Sequence, residues 1–415
     1  VMTSKLTIAV TGANGFLGSH VVAVLLADGH TVRAAVRDPS DTAKTSHLTA
    51  LPGATSALTL VKGNLSVEGS YDAAFAGADA VVHTAAVVEV LDSKNAEEKI
   101  LKPSLEGSKN VLGSVRRSGS VRRLVYTSSV AAVQSAFGLD ASHVFTEDDW
   151  NGWSTLESDA YGFAKAAAER MLWSELQGDA ACDLVSLCPA VVLGPCLTKA
   201  HTKTSTVLVR EAMFHNPMNS CESSRAPAAW RAVAIGRSHL ARGGYWPQYY
   251  NSLALGWRRW RRCPPCKLKG AQPARDTDAP SSRCVPADYA SFVDVRDVAA
   301  ACLAALTVPA AGGKRFIVVG DEPPMLTTAL ADYAAVELPQ YSFKGAAKYS
   351  EWLVWLLARL GVVAPFQEAM STKKLPFSNA QLKAVLGVAP RTLGACVKDT
   401  AVSMIEGGWV KPKSK

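Results

Sequence analysis

The sequence lacks a long apolar run, a signal peptide and a disulfide framework. Its strongest apolar run, Trp352 to Ala358, ends at Arg359 and is shorter than the ~18 residues that a membrane-spanning helix needs. The first five residues hold no signal-peptide pattern, and the sequence does not tell whether a targeting segment precedes Val1. The nine cysteines are an odd number spread over 415 residues. These absences predict a protein of the reducing cytoplasm without a membrane span.

The sequence also has almost no net charge outside one segment. Charged residues make up 19% of the chain and hydrophobic residues 48%, a balance typical of globular proteins. Residues 221–285 carry 12 basic and 3 acidic side chains, a net charge of +9, whereas the remaining residues carry 32 basic and 33 acidic ones. The basic character therefore belongs to this segment, and no specific nucleic-acid partner is predicted.

Segment 221–285 lacks the apolar periodicity of the rest of the chain. It holds four of the ten tryptophans and four of the nine cysteines, and a structureless loop of this length is uncommon in a compact domain. We interpret it as a poorly ordered basic insert without a catalytic role, either a lineage-specific loop or a gene-prediction artefact such as a translated intron. Its single CxxC, Cys263–Cys266, lacks the spacing of a zinc site, so we expect no metal.

Short apolar strands alternate with helical stretches along the chain. This order predicts an α/β fold with a doubly wound parallel sheet, a Rossmann fold. Helical patterns near the end, at 350–360, 378–386 and 393–406, predict a smaller and mostly helical C-terminal lobe. The predicted strands are 5–11, 31–36, 58–61, 80–84, 123–127 and 183–188, with a late edge strand at 313–319.

A glycine-rich turn follows the first predicted strand and opens a helix. Gly12, Gly15 and Gly18 form the pattern GxxGxxG. Without Cβ atoms the backbone turns tightly, and a pyrophosphate approaches the amides at the helix N-terminus, where the helix dipole favours negative charge. This pattern predicts a dinucleotide site, with a glycine turn that binds no ligand as the alternative.

The end of the second predicted strand favours one dinucleotide. An acidic residue there would accept hydrogen bonds from the ribose 2′-hydroxyl of NAD, but the chain has Arg33 and Arg37. Guanidinium groups suit a 2′-phosphate, and Lys44 is a possible further contact. NADP (NADPH) is therefore the predicted cofactor, with solvated surface arginines as the alternative.

A tyrosine and a lysine four residues apart indicate proton-transfer chemistry. Tyr161 and Lys165 lie on one face of a predicted helix. A free phenol has a pKa of ~10, and a neighbouring cation lowers such a value by favouring the phenolate. Ser128 and Ser129 follow a predicted strand, at the edge of the sheet where a hydroxyl reaches the cofactor crevice. An exposed Tyr–Lys pair is the alternative.

Several motifs together give the chain a clear resemblance. It resembles the extended short-chain dehydrogenases/reductases, the NAD-dependent epimerase/dehydratase superfamily, and is most similar to the dihydroflavonol 4-reductase and cinnamoyl-CoA reductase group. The likeness covers nearly everything except 221–285. The motifs that carry it are Thr11–Gly18, Val32–Pro39, His83–Ala86, Lys102–Gly107, Val121–Ser129, Tyr161–Lys165, Pro189–Pro195 and Ser291–Asp297.

The resemblance implies a catalytic triad and a cofactor site. Tyr161 would protonate the substrate carbonyl, Ser129 would hydrogen-bond it, and Lys165 would hold the nicotinamide ribose. Asn110 would assist a proton relay or would be a surface or capping residue. Gln134 stands where flavonoid reductases have an Asn for the substrate hydroxyls. The implied cofactor-binding residues are Gly12, Asn14, Gly15, Phe16, Leu17, Gly18, Arg37, Lys44, Asn64, Leu65, Thr84, Ala85, Ala86, Tyr161, Lys165, Pro189, Val191 and Val192.

These inferences predict an NADPH-dependent reductase of a small-molecule aldehyde or ketone, as a monomer or homodimer. A nucleotide-sugar epimerase or dehydratase of the same superfamily and a non-catalytic NADP-binding scaffold are the alternatives. Residues 1–195 with 286–320 would form the NADP-binding domain. Residues 196–220 with 321–415 would form the substrate-binding lobe.

Overall fold

A computed structural model describes residues 5–86, 95–134, 142–214, 288–343, 359, 370 and 372–414. The described residues fall within one unit, made of 1–214 and 286–415. The predicted insert 221–285 lies outside the described residues. So does the helix predicted over 350–360, apart from Arg359.

The central sheet has seven strands, all paired in parallel. They are β1 (Thr7–Thr11), β2 (Thr31–Val36), β3 (Leu58–Lys62), β4 (Ala80–His83), β5 (Arg123–Thr127), β6 (Asp183–Pro189) and β10 (Arg315–Val318). Their order is β10-β6-β5-β4-β1-β2-β3, so the predicted doubly wound parallel sheet is confirmed, with the late strand at its edge. The order reverses between β1 and β4, which opens a crevice at the carboxyl ends of these strands.

Helices cover both faces of the sheet because successive strand residues bury opposite faces. Ile8 and Val10 belong to one buried cluster and Ala9 to another. The helices are α1 (Phe16–Ala27), α2 (Thr42–Thr49), α3 (Ala54–Ala57), α4 (Asp72–Phe75), α5 (Lys102–Ser118), α6 (Ala160–Leu176), α7 (Val207–Phe214), α8 (Val295–Thr307), α9 (Leu330–Glu337), α10 (Ala380–Ala384) and α11 (Leu393–Glu406).

The chain after β6 has a hydrophobic cluster of its own. Val209 of α7, Leu330 of α9 and Val397 of α11 meet there and are fully buried. Short strands complete this region, with β7 parallel to β9 and two antiparallel pairs, β8–β11 and β12–β13. They are β7 (Val191–Leu193), β8 (Tyr289–Ala290), β9 (Phe292–Asp294), β11 (Met325–Leu326), β12 (Tyr341–Ser342) and β13 (Lys413–Ser414).

Two further observations concern the described part of the chain. None of its helices combines the length and the apolar character that crossing a membrane requires. Its five cysteines are all free thiols with buried side chains, and burial raises the pKa of Cys302 to about 12. These thiols are therefore protonated at neutral pH and unreactive.

Arg123 joins two strands to the end of a helix. Its guanidinium donates to both carboxylate oxygens of Asp183, at 2.8 and 2.7 Å. It also donates to the carbonyls of Ala305 and Val308, both at 2.9 Å. The side chain therefore satisfies carbonyl groups at the end of α8 while it pairs β5 with β6.

Arg123→Met should destabilise the fold because it removes these charge-assisted hydrogen bonds. We expect a loss of ~1 to 3 kcal/mol in the free energy of unfolding. Denaturant unfolding followed by circular dichroism measures it. Arg122→Met, at the exposed neighbouring position, is the matched control and should change stability little; equal effects of both substitutions would contradict this role of Arg123.

Candidate active site

The glycine-rich turn between β1 and α1 is shaped by close backbone contacts. Gly12 has φ +63°, and a Cβ atom there would lie 2.9 Å from the backbone of Ala85. A Cβ atom at Gly18 would lie 2.2 Å from the carbonyl oxygen of Gly12. Both positions therefore require glycine for steric reasons, and the predicted residues of this turn lie beside those that follow β4.

The N-terminus of α1 leaves amide groups for a ligand. Its N-cap is Gly15, and no side chain caps it. Phe16 is only 6% exposed, and its ring packs against His20 and His201. The backbone N–H groups of the first turn, rather than these side chains, are therefore the groups that fit a pyrophosphate.

The segment after β4 is fixed to β1 by hydrogen bonds. The Thr84 hydroxyl donates to the carbonyl of Thr11 at 2.7 Å, and the Ala85 N–H donates to the Thr11 hydroxyl at 3.2 Å. Ala86 follows at an exposed position. The predicted residues Thr84, Ala85 and Ala86 thus border the crevice opposite the glycine turn.

The two arginines near the end of β2 differ in their surroundings. Arg33 donates to the carbonyls of Ala74 and Ala76 and so caps the end of α4. Its guanidinium is therefore already bound by backbone carbonyls. Arg37, directly after β2, is exposed, and among the described residues it has no hydrogen bond or ion pair. Only Arg37 is thus available to a ligand.

Two other side chains near Arg37 already have partners. The Lys44 ammonium lies 2.5 Å from the Asp41 carboxylate. The Asp38 carboxylate accepts from the Ser40 N–H at 2.9 Å and from its hydroxyl at 2.6 Å, and these hydrogen bonds hold the pKa of Asp38 below its usual value. Lys44 is therefore a weaker candidate for phosphate binding than its sequence position suggests.

The loop after β3 is held against α5. Leu65 packs on Gly107, where a Cβ atom would lie 2.5 Å from its side chain. The Asn110 amide donates to the Leu65 carbonyl at 2.9 Å, so Asn110 fastens this loop to α5. Asn64 accepts from the Ser66 N–H through Oδ1.

Tyr161 and Lys165 lie on consecutive turns of α6. The Lys165 ammonium is 6.0 Å from the centre of the Tyr161 ring, and the lysine is only 8% exposed. Burial acts to lower the pKa of Lys165, but Tyr161, Tyr126, Glu169 and Cys188 outweigh it, so the pKa is raised. Lys165 is therefore a buried cation beside a phenol.

Ser129 starts a 3₁₀ turn that packs against α6. It is the N-cap of residues Val130–Ala132, and its hydroxyl accepts from the Ala131 N–H at 3.2 Å. Ser128 is buried, and its hydroxyl donates to Glu169 at 2.6 Å. The structure thus brings Ser129, at the end of β5, to the helix that carries Tyr161 and Lys165.

A series of hydrogen bonds that the sequence did not reveal connects the Ser129 turn to the start of α6. The Asn151 amide donates to the Ala131 carbonyl and to the Ser154 hydroxyl, both at 2.8 Å. Ser154 in turn donates to Asp159 at 2.9 Å, and Asp159 caps α6 by accepting from the Gly162 N–H. Asp159 two residues before Tyr161 is a readable N-cap signal, whereas nothing local marks Asn151.

The remaining predicted residues lie around β6 and β7. Pro189 is buried at the end of β6, and Val191 and Val192 are half-buried in β7. The Gln134 amide oxygen is buried, and no described residue donates to it. A buried oxygen without a donor favours a ligand hydroxyl at this position.

The parallel sheet, the glycine turn and the grouping of serine, tyrosine and lysine define a Rossmann-type protein of the extended short-chain dehydrogenase/reductase kind. The model of the NAD dependent epimerase/dehydratase family matches residues 8–215. The chain belongs to this family, and the resemblance seen in its motifs is confirmed.

Two curated plant proteins are similar over nearly half of the chain. Dihydroflavonol 4-reductase of Arabidopsis thaliana is 37% identical over 203 residues, which are 48% of this chain and 52% of the relative. Putative anthocyanidin reductase of Ginkgo biloba is 39% identical over 197 residues, 46% of this chain and 57% of the relative. The chain thus spans little more than half the length of these relatives.

A solved structure shows the same fold over almost the whole chain. It is yeast methylglyoxal/isovaleraldehyde reductase Gre2 complexed with NADPH, with a TM-score of 0.67 and 24% identity. The match covers 97% of this chain and 99% of the yeast chain. At this identity the match establishes the shared fold.

Gly18→Ala should disrupt the turn because the new methyl group meets backbone and not a movable side chain. We expect a loss of ~1 to 3 kcal/mol in the free energy of unfolding. Gly15→Ala is the matched control, since its Cβ atom would meet only the Gly12 carbonyl oxygen, at 3.1 Å. Thermal unfolding of both variants measures the difference, and equal stability would contradict the steric account.

Proposed function

We propose that the protein is an NADPH-dependent reductase of a small or medium-sized aldehyde or ketone. The observation that carries the proposal is a phenol, Tyr161, beside a buried cation, Lys165, on the helix packed against the Ser129 turn. Ser129 follows β5, at the same carboxyl edge of the parallel sheet as the glycine turn, and α6 lies between β5 and β6 in the chain. The reductase names of the similar proteins support the proposal.

The residues of the site fit both the pyrophosphate and the nicotinamide part of the cofactor. The uncapped α1 N-terminus and the Gly12 approach to Ala85 suit the pyrophosphate. When bound, the nicotinamide supplies the hydride, which is the cofactor's own chemistry. Pro189, Val191 and Val192 supply the apolar wall that such a ring needs, and Lys165 supplies a donor for the ribose hydroxyls.

Proton transfer is assigned to the residues of α6 and the Ser129 turn. Tyr161 donates its proton to the carbonyl oxygen as that oxygen gains negative charge. Lys165 favours this step because its ammonium stabilises the phenolate that results. Ser129 donates a hydrogen bond to the same oxygen and orients the substrate.

The preference for NADPH rests on Arg37. Its guanidinium is exposed at the end of β2, where the 2′-position of the adenine ribose is expected in this fold. The positive charge of Arg37 therefore favours a 2′-phosphate over a hydroxyl.

The substrate-binding lobe is assigned to residues 196–220 with 321–415, and the NADP-binding domain to 1–195 with 286–320. The separate buried cluster formed by α7, α9 and α11 supports this division. Gln134, whose buried amide oxygen receives no hydrogen bond from the described residues, is the proposed contact for a substrate hydroxyl. A panel of aldehydes, flavanonols and acyl-CoA thioesters, followed by NADPH oxidation, tests the substrate class.

Tyr161→Phe should lower kcat by about two to four orders of magnitude, the range that general acid catalysis contributes. NADPH binding should stay nearly unchanged, because the substitution removes only the hydroxyl. Steady-state kinetics and a fluorescence titration with NADPH measure the two effects. Full carbonyl reduction by this variant would overturn the proposed role of Tyr161.

Arg37→Ala should weaken NADPH binding roughly 10- to 100-fold and leave NADH binding unchanged, because one charge-assisted contact is lost. Arg33→Ala is the matched control. Since Arg33 caps α4, its removal should lower stability without changing the ratio of the two affinities. Equal losses of NADPH and NADH affinity in the Arg37 variant would show that this arginine is structural.

A further inference from the structure

Glu169 is a buried carboxylate that the proposed chemistry does not use. It lies one turn beyond Lys165 on α6 and is 0% exposed. Four donors surround it. Arg315 Nε lies at 2.7 Å, Ser128 Oγ at 2.6 Å, Trp173 Nε1 at 3.3 Å and Cys188 Sγ at 3.8 Å. A carboxyl group placed so fully in the interior needs such hydrogen-bond partners to offset its lost hydration.

Its ion-pair partner, Arg315, is equally fixed. Arg315 is the first residue of the edge strand β10 and is 9% exposed. Its Nη1 donates to the carbonyls of Glu147 and Asp149, both at 2.7 Å. The Trp150 ring lies 3.6 Å from its guanidinium carbon. The guanidinium therefore has a single position and stays with Glu169.

Glu169 connects the parts of the proposed active site. Ser128, which it binds, directly precedes Ser129, and Cys188 belongs to β6. The same helix carries Tyr161 and Lys165. The carboxylate thus joins the ends of β5, β6 and β10 to the helix on which proton transfer takes place.

The charges of Lys165, Glu169 and Arg315 do not cancel. Lys165 and Arg315 are cations and Glu169 is an anion, so the net charge is +1 while Tyr161 holds its proton and zero when it has lost it. The other titratable groups that face Lys165 are neutral. Burial lowers the pKa of His83 to about 3 and raises the pKa of both Tyr126 and Cys188. On the far side, Arg170 is exposed and screened by water.

We propose that Glu169 is a positioning residue with two effects. Because it is paired with Arg315, it leaves the charge of Lys165 to act on Tyr161. Through Ser128, it also holds the Ser128–Ser129 segment against α6. Arg315 binds the carboxylate directly, so Glu169 offsets the charge of Lys165 only in part. The inference rests on the proposed function, since it concerns the same proton transfer.

Two single charge-removing substitutions and their combination in the full chain test the proposal. Glu169→Gln leaves two cations, so the pH midpoint of alcohol oxidation should fall by about half a pH unit or more. Arg315→Met leaves Glu169 facing Lys165, so the midpoint should rise by a similar amount. The double variant restores a net charge of +1 and should return the midpoint to that of the parent. Glu175→Gln, which removes an exposed carboxylate from the same helix, is the matched control and should not move it.

A second measurement does not depend on turnover. The chain has ten tyrosines, so the tyrosinate absorbance of each variant is compared with that of the same variant carrying Tyr161→Phe. The difference isolates the titration of Tyr161, which should shift in the same directions. Far-ultraviolet circular dichroism confirms folding, and the two single variants shift in opposite directions, so either one that folds still tests the proposal.

The outcomes separate the two proposals. If the parent reduces no carbonyl in the panel, the proposed function fails, and the absorbance titration still decides the role of Glu169. If the parent is active but Glu169→Gln titrates like the parent, Glu169 is merely structural and the inference is overturned. Opposite shifts in the two single variants, cancelled in the double variant, support it.

Discussion

The burial of the Lys165 ammonium is the constraint on which the proposed catalytic end of the structure depends. An unpaired ammonium group in the interior costs far more free energy than a fold of this size has to spare. It is retained because two tyrosines, a thiol and the Glu169 carboxylate face it, and their interactions outweigh the loss of hydration. These groups come from α6, β5 and β6, so the lysine is tolerated only when all three elements are in place.

The cofactor end depends on a different constraint, which is steric. Gly12 and Gly18 bring backbone to within distances that no side chain permits, and this fixes the start of α1 against β1 and Ala85. The glycine turn follows β1, and Ser129 follows β5, two strands away in the sheet. Neighbouring strands lie ~4.8 Å apart, so the two ends of the crevice are separated by about 10 Å. A dinucleotide bridges a distance of this order, and the sheet itself therefore sets the spacing between cofactor binding and proton transfer.

The sequence predicts most of the sheet because strand alternation and glycine spacing are local signals. The strands Thr31–Val36 and Arg123–Thr127 and the helix Leu393–Glu406 have the predicted bounds. Local signals did not separate Arg33 from Arg37, because the carbonyls that bind Arg33 come from α4, about 40 residues later in the chain. Glu169 is readable as the next position on the face of Tyr161 and Lys165. Its partner Arg315 is 146 residues away and has no local signature.

The two ends of the site use charge in opposite ways. At the catalytic end, Lys165, Glu169 and Arg315 are buried, so solvent screens them little and their effect on a proton is independent of salt. At the cofactor end, Arg37 is exposed and its charge is screened until a phosphate covers it. Ionic strength should therefore act on cofactor choice and not on proton transfer. A site arranged in this way keeps its chemistry constant while its affinity for a phosphorylated ligand varies with the surroundings.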